Sequence, residues 1–168
     1  MILTAAGICE ARRLREIEIE PFDAVSLNPN TYDLHLASEL LRADDDGWET
    51  LNISDAGFVL EPQRLYLGST IECFGGHDYV PCLSGRSSVG RLGLFVHLAS
   101  DMGNLGAVHA WTLELFSALP LRIYAGMPIV QVSFWKSQGS QIRYDGMYDA
   151  FNGPTSATAH ELGRQLSP

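Results

Sequence analysis

The sequence predicts a mainly β fold, a barrel, sandwich or jelly roll, preceded by one short N-terminal helix. Three observations carry this prediction. From Asn28 onward, short apolar runs alternate with turn residues. Gly or Pro stands between many of the runs, as at Gly57, Pro62, Gly68, Pro81, Gly93 and Gly126. The chain has 168 residues, 46% hydrophobic and 18% charged, which suits one globular domain with a core and excludes a disordered chain.

The helix opens the chain. Thr4 is an N-cap candidate, and Ile8, Ala11, Leu14 and Ile17 approximate one helical face. Gly7 weakens its first turn, and Pro21 ends anything helical. The runs 32–36, 58–60, 65–67, 70–73, 94–98, 111–116, 121–124 and 129–134 read as strands. Asp44-Asp45-Asp46-Gly47 reads as a hairpin tip; three adjacent carboxylates in a loop cannot all face one metal ion. No repeat and no interdomain linker interrupts the pattern, so residues 1–148 form a single β domain. Residues 149–168 turn small and polar and read as a tail or lid, mobile unless something docks it.

Eleven Lys and Arg stand against 20 Asp and Glu, a net charge of −9. That balance argues against a nucleic-acid surface, which needs a basic face. It leaves room for a small anion, because a few local cations or a metal ion reverse the local field. Cys9, Cys73 and Cys82 form no CxxC pair and no disulfide framework, which fits a reducing, cytoplasmic setting. No apolar run reaches the roughly 20 residues of a membrane span. Met1-Ile2-Leu3-Thr4 lacks the basic flank and apolar stretch of a signal peptide.

Chemistry concentrates in two places. Gly85-Arg86-Ser87-Ser88-Val89-Gly90-Arg91-Leu92-Gly93 packs arginines, hydroxyls and glycines into one short segment. Glycine admits close backbone approach, serine donates and accepts, and arginine offers a planar fork for phosphate. A tight turn over 86–91 would also aim N–H groups at an anion. The plainer alternative is a polar turn with an exposed arginine pair. The segment is not a P-loop, because GxxxxGK[ST] is absent.

The second place is Glu114, within Trp111-Thr112-Leu113-Glu114-Leu115-Phe116. Period-2 alternation puts it on one face with Thr112 and Phe116, while Leu113 and Leu115 face the other way. An interior carboxylate needs a partner, and such groups serve as acid–base catalysts; the alternative is an edge-strand Glu facing water. His35, His77, His97, His109 and His160 stand at no ligand spacing, and HxE followed by PCxxC does not occur, so a protein zinc site is not expected.

The run from Gly85 through Leu94-Phe95-Val96-His97 resembles the dCTP deaminase family of the dUTPase-like superfamily. Leu27-Asn28-Pro29-Asn30-Thr31-Tyr32-Asp33-Leu34-His35-Leu36 is similar to that family's P-x-S-Y-D-L-R-L opening. Phe58-Val59-Leu60-Glu61-Pro62 is similar to its next strand. Thr112-Leu113-Glu114 and Ala125-Gly126-Met127-Pro128-Ile129-Val130-Gln131 extend the likeness along nearly the whole chain. The resemblance implies a distorted β-barrel or jelly roll of the dUTPase-like type, assembled as a homotrimer with active sites between subunits. It implies hydrolytic deamination of a cytosine deoxynucleotide without zinc, dCTP giving dUTP and ammonia, or the same reaction on a related cytosine nucleotide. Glu114 would be the base that activates water, with Ser87 and a buried Arg91 beside it holding that water and stabilising charge on the ring. Arg86 and Ser88 would face the phosphates, with Mg²⁺ on the triphosphate. Ser100, Asn104 and Tyr148 would line the substrate.

Two departures qualify the likeness. The family's H-x-I-D-P-G-W/F-x-G stretch corresponds to residues 101–109 here, and only Gly106 survives. Asn104 replaces the aspartate that orients or activates water at the α-phosphate in dUTPases and bifunctional members, which predicts no pyrophosphatase activity. In the G-K-Y-Q-G-Q-x-G lid, Met147 stands for the phosphate-binding Lys and Phe151 for a Gln, while Asp149 adds a negative charge. These changes keep two alternatives open: a non-catalytic, regulatory nucleotide-binding trimer, and a dUTPase-like phosphohydrolase.

Overall fold

The computed structural model describes residues 1–45, 47–97, 99–146 and 152–157. Its first element, α1 (Ala5–Arg13), begins where Thr4 Oγ1 accepts a hydrogen bond from the Gly7 amide at 3.4 Å. Ile8 and Ala11 form its buried face. The helix is shorter than the sequence predicts. Leu14 is its C-cap, Arg15 turns left-handed at φ 59°, and Ile17 opens strand β1 (Ile17–Glu20). Buried Ile17 and Ile19 alternate with exposed Glu18 and Glu20, a period of 2 too short to stand out beside the helix.

The strands that follow are β2 (Tyr32–His35), β3 (Glu39–Asp44), β4 (Gly47–Asn52), β5 (Phe58–Leu60), β6 (Leu65–Gly76) and β7 (Tyr79–Gly85). After the short helix α2 (Ser87–Gly90) come β8 (Leu94–Val96), β9 (Val108–Ser117), β10 (Leu121–Ile123) and β11 (Pro128–Lys136). One sheet runs β4-β3-β6-β9-β8, with β1 also paired to β6. A second runs β2-β11-β7, and β5 pairs with β10. Among the described residues the sheets pack as a jelly-roll-type β fold and do not join into one closed barrel. Tyr32, Leu34, Tyr66, Phe74, Leu113, Leu115, Val132 and Phe134 are buried in one common core. Among the described residues no helix is long and apolar enough to cross a membrane.

Residues 65–67 and 70–73, expected as two strands, are one. Gly68 is not a turn: a Cβ there would lie 2.9 Å from Leu36 Cδ1 and 3.3 Å from Leu115 Cδ1, so glycine permits close packing. The pairing of β6 with β9 shifts register between Ser69 and Cys73. The Thr70 hydroxyl fills the break, accepting from the Trp111 amide at 2.9 Å and donating to the Glu72 carbonyl at 2.8 Å. β3, β4 and β7 were not expected as strands. β4 is exposed along nearly its whole length, so it carries no apolar run. Pro81 disguises β7, and it is tolerated because β7 is the edge of its sheet. The hairpin tip falls where expected, with Asp44 paired to Gly47.

Candidate active site

Glu114 stands on β9 between buried Leu113 and Leu115, which point into the core and turn its own side chain to the other face. The carboxylate is half-buried, and its Oε2 accepts a hydrogen bond from the Ala99 amide at 3.1 Å. β8 lies antiparallel to β9, pairing Val96 with Leu115, and the His97 amide continues the ladder by donating to the Glu114 carbonyl at 3.1 Å. The chain then leaves the sheet at His97 with φ 56°, which turns Ala99 back onto the carboxylate. One face of Glu114 is therefore fixed by backbone, and a fixed carboxylate is what proton transfer requires.

His97 belongs to this site, and nothing in the sequence marks it beyond its place in the family-like run. Its Nε2 is buried without a hydrogen-bond partner among the described residues. Burial holds the imidazole below the usual histidine range, and the nearby Glu114 and Asp101 carboxylates oppose that shift only in part.

The arginine–serine segment folds as a tight turn. Arg86 precedes α2, Val89 is buried as its anchor, and Ser87 and Ser88 are exposed. The amides of Val89 and Gly90 donate to the Arg86 carbonyl and that of Arg91 to the Ser87 carbonyl, so these three are satisfied within the turn. The Arg86 guanidinium pairs with buried Asp33 at 3.1 Å and donates to the Pro128 carbonyl at 3.4 Å. Asp33 also accepts from Asn28 Nδ2 at 2.9 Å. Arg86 thus ties α2 to β2 and β11. Asn28 and Asp33, both in the Asn28-to-Leu36 run, build this tie.

Arg91 is not buried in the single chain. It is exposed at the C-cap of α2 and forms no ion pair among the described residues. The β8–β9 register explains its position. Leu94 pairs with Ser117 and the Gly93 carbonyl receives the Ala118 amide, so Arg91 sits beyond the Ser117 end of the ladder. At about 3.3 Å per residue, that end is roughly 10 Å along β9 from Glu114. Ser100 and Asn104 are exposed on the loop between β8 and β9. Asn104 lines a cavity of about 310 Å³ with Leu105, Arg143 and Tyr144. Tyr148 lies outside the described residues.

The tail is docked where it is described. Asn152 bridges Ala110 in parallel, and its Oδ1 accepts from the Ala110 amide at 3.2 Å. The Thr112 hydroxyl donates to the Gly153 carbonyl and accepts from the Thr155 amide, each at 3.2 Å. Thr112 shares the Glu114 face of β9, so the tail crosses that face two residues away. Among the described residues no group of three or more His, Cys, Asp or Glu is placed to hold a metal ion.

A family profile described as dCTP deaminase-like matches residues 2–137. A protein of Cytophaga hutchinsonii named dCTP deaminase, dUMP-forming, is 43% identical over 147 residues, 82% of this chain and 85% of that one. Proteins of the same name from Leptospira biflexa and Clostridium acetobutylicum are 42% and 41% identical, over 91% and 83% of this chain and 92% and 86% of theirs. The crystal structure of 2'-deoxycytidine 5'-triphosphate deaminase from Agrobacterium tumefaciens superposes with a TM-score of 0.67 at 21% identity, which establishes the shared fold. That likeness covers 79% of this chain and 46% of the other, so this chain spans under half the length of that solved relative. Profile, sequence relatives and fold agree: the chain belongs to the dCTP deaminase-like family.

Proposed function

We propose that this protein hydrolytically deaminates dCTP. The observation that carries the reading is Glu114, a half-buried carboxylate fixed by the Ala99 amide, at the family-like position of a chain whose relatives are named for this reaction. In the proposed step a water molecule attacks C4 of cytosine. Glu114 takes one proton from that water as the new C4–O bond forms, then delivers it to the exocyclic nitrogen. The C4–N4 bond breaks, ammonia leaves, and the remaining proton moves from the C4 hydroxyl to N3, giving uracil. Ser87 and Arg91 position the water and stabilise charge on the ring.

Arg91 is exposed at the C-cap of α2, beyond the Ser117 end of the β8–β9 ladder, where a second copy could meet it. That exposure supports a homotrimer with sites between subunits, where the Arg91 of one copy meets the Glu114 of the next. Mg²⁺ enters with the triphosphate as part of the substrate. The described tail on the Glu114 face supports its role as a lid. A cytoplasmic place in pyrimidine nucleotide metabolism completes the reading.

The product divides this chain from the names of its relatives, which are dUMP-forming. Asn104 carries a neutral amide that cannot take a proton from water at the α-phosphate. We therefore propose that the product is dUTP. Incubation with dCTP and Mg²⁺, followed by ion-exchange separation of nucleotides and an ammonia assay, tests both halves. dUTP with equimolar ammonia is the expected outcome. dUMP with pyrophosphate would transfer the chain to the reaction in its relatives' names, and neither product would reject deamination. Glu114→Gln removes the base and is expected to cut kcat by about 10²–10⁴-fold, with the thermal melt unchanged.

A further inference from the structure

The charge census singles out one more residue. A triphosphate must be bound by a chain of net charge −9, so its uncommitted cations matter. Of the 11 Lys and Arg, Arg164 lies outside the described residues. Arg12, Arg13, Arg42, Arg64 and Arg86 are each held by an Asp or Glu. Arg122 donates to the Ala56 carbonyl, and the Lys136 ammonium lies over the Tyr79 ring. Among the described residues that leaves the side chains of Arg15, Arg91 and Arg143 without an ion pair or hydrogen bond. Arg15 lines a cavity built from α1 and β1, shared with the carboxylates of Glu18 and Glu20. Arg91 is already assigned a role.

Arg143 is different because the Glu114 loop holds it. That loop begins on the catalytic carboxylate through the Ala99 amide and returns to β9 at Val108. Near its far end the Leu105 carbonyl accepts from the Tyr144 amide at 3.0 Å. Gly106 follows with φ 92°, and a Cβ there would lie 3.2 Å from Arg143 Cβ and 3.3 Å from Cγ. The aliphatic stem of Arg143 therefore lies flat on a glycine. Arg143 lines the cavity that Asn104 also lines. Asp145 lines the same cavity and forms no ion pair with Arg143, so contact does not neutralise the cation.

We infer that Arg143 is a substrate-binding residue that contacts the phosphates of the nucleotide, supplying charge where Met147 supplies none. The inference rests on the dCTP reading and specifies which end of the substrate this loop meets. The test compares wild type, Arg143→Gln, Arg143→Lys and Asp145→Asn on dCTP, dCMP and deoxycytidine with Mg²⁺. Loss of one charge-assisted contact is expected to raise KM for dCTP about 10–100-fold in Arg143→Gln, with kcat within about 2-fold. Lysine should restore part of the affinity, deoxycytidine should be unaffected, and Asp145→Asn should lower KM for dCTP. Calorimetric titration of each variant with dCTP gives the same comparison without turnover. Wild-type KM and binding in Arg143→Gln, beside an active wild type, would overturn this inference alone. A wild type that neither binds nor deaminates dCTP would overturn the functional reading and this inference together.

Discussion

At the residue scale, the site combines a held carboxylate with an imidazole whose burial disfavours its charged form. His97 is half-buried with its Nε2 enclosed, and this desolvation puts its folded-state pKa below the ordinary histidine value of about 6.5. The unfolded chain therefore binds a proton there that the folded chain resists. The stability His97 contributes is fully present above about pH 6.5 and is lost as pH falls through the depressed folded value. Urea unfolding followed from pH 8 to pH 5 should show wild type losing more stability than His97→Asn, a residue that tolerates the left-handed backbone at this position. Equal slopes in the two proteins would remove His97 from this role.

The sequence showed Glu114 through the alternation around it, because Leu113 and Leu115 mark the core face on either side. It could not show the Ala99 amide on the carboxylate, since that contact depends on a left-handed turn at His97. Nor could it show Glu72, a carboxylate buried to 3% exposure. His35 holds that group through Nδ1 at 2.6 Å and its backbone amide at 2.9 Å, a pairing between strands 37 residues apart in sequence.

At the scale of elements, legibility followed burial. β2, β5, β8 through β11 and α1 carry apolar positions at the period of their structure and could be located. β3 and β4 could not, because only Leu40 is buried and the rest is half-exposed or exposed. The docked tail was also beyond reach: its grip on β9 is made of hydroxyl, amide and backbone groups with no apolar pattern. Thr112 is the centre of that grip. Thr112→Val keeps the shape and removes both hydrogen bonds, so the amides of residues 152–157 should exchange with solvent about 5–10-fold faster, for a loss near 1 kcal/mol. Thr112→Ser should keep them protected. Unchanged exchange in the valine variant would place the anchor elsewhere, with Asn152 the next group to alter.

At the scale of the whole molecule, the proposed sharing of Arg91 and Glu114 between copies makes a quantitative prediction about assembly. Arg91→Ala and Glu114→Gln should each be inactive alone. Mixed after unfolding and refolded together, they should recover activity, because some interfaces then join the intact Arg91 of one copy to the intact Glu114 of another. Random mixing of equal amounts restores about one quarter of the sites in a closed ring of identical subunits. No recovery, with sedimentation showing mixed oligomers, would mean that each chain completes its own site.

The outermost strand of the large sheet has a consequence for behaviour in solution. β4 ends that sheet with one edge unpaired, and the hairpin carrying it bears Asp44, Asp45 and Glu49. Such an edge is a template on which further copies could stack strand by strand, and like charge keeps them apart. Replacing Asp44, Asp45 and Glu49 by their amides strips that protection from the edge. Clouding of the triple variant should therefore begin with folded molecules zipping together along this hairpin, and added lysines at its tip should delay it.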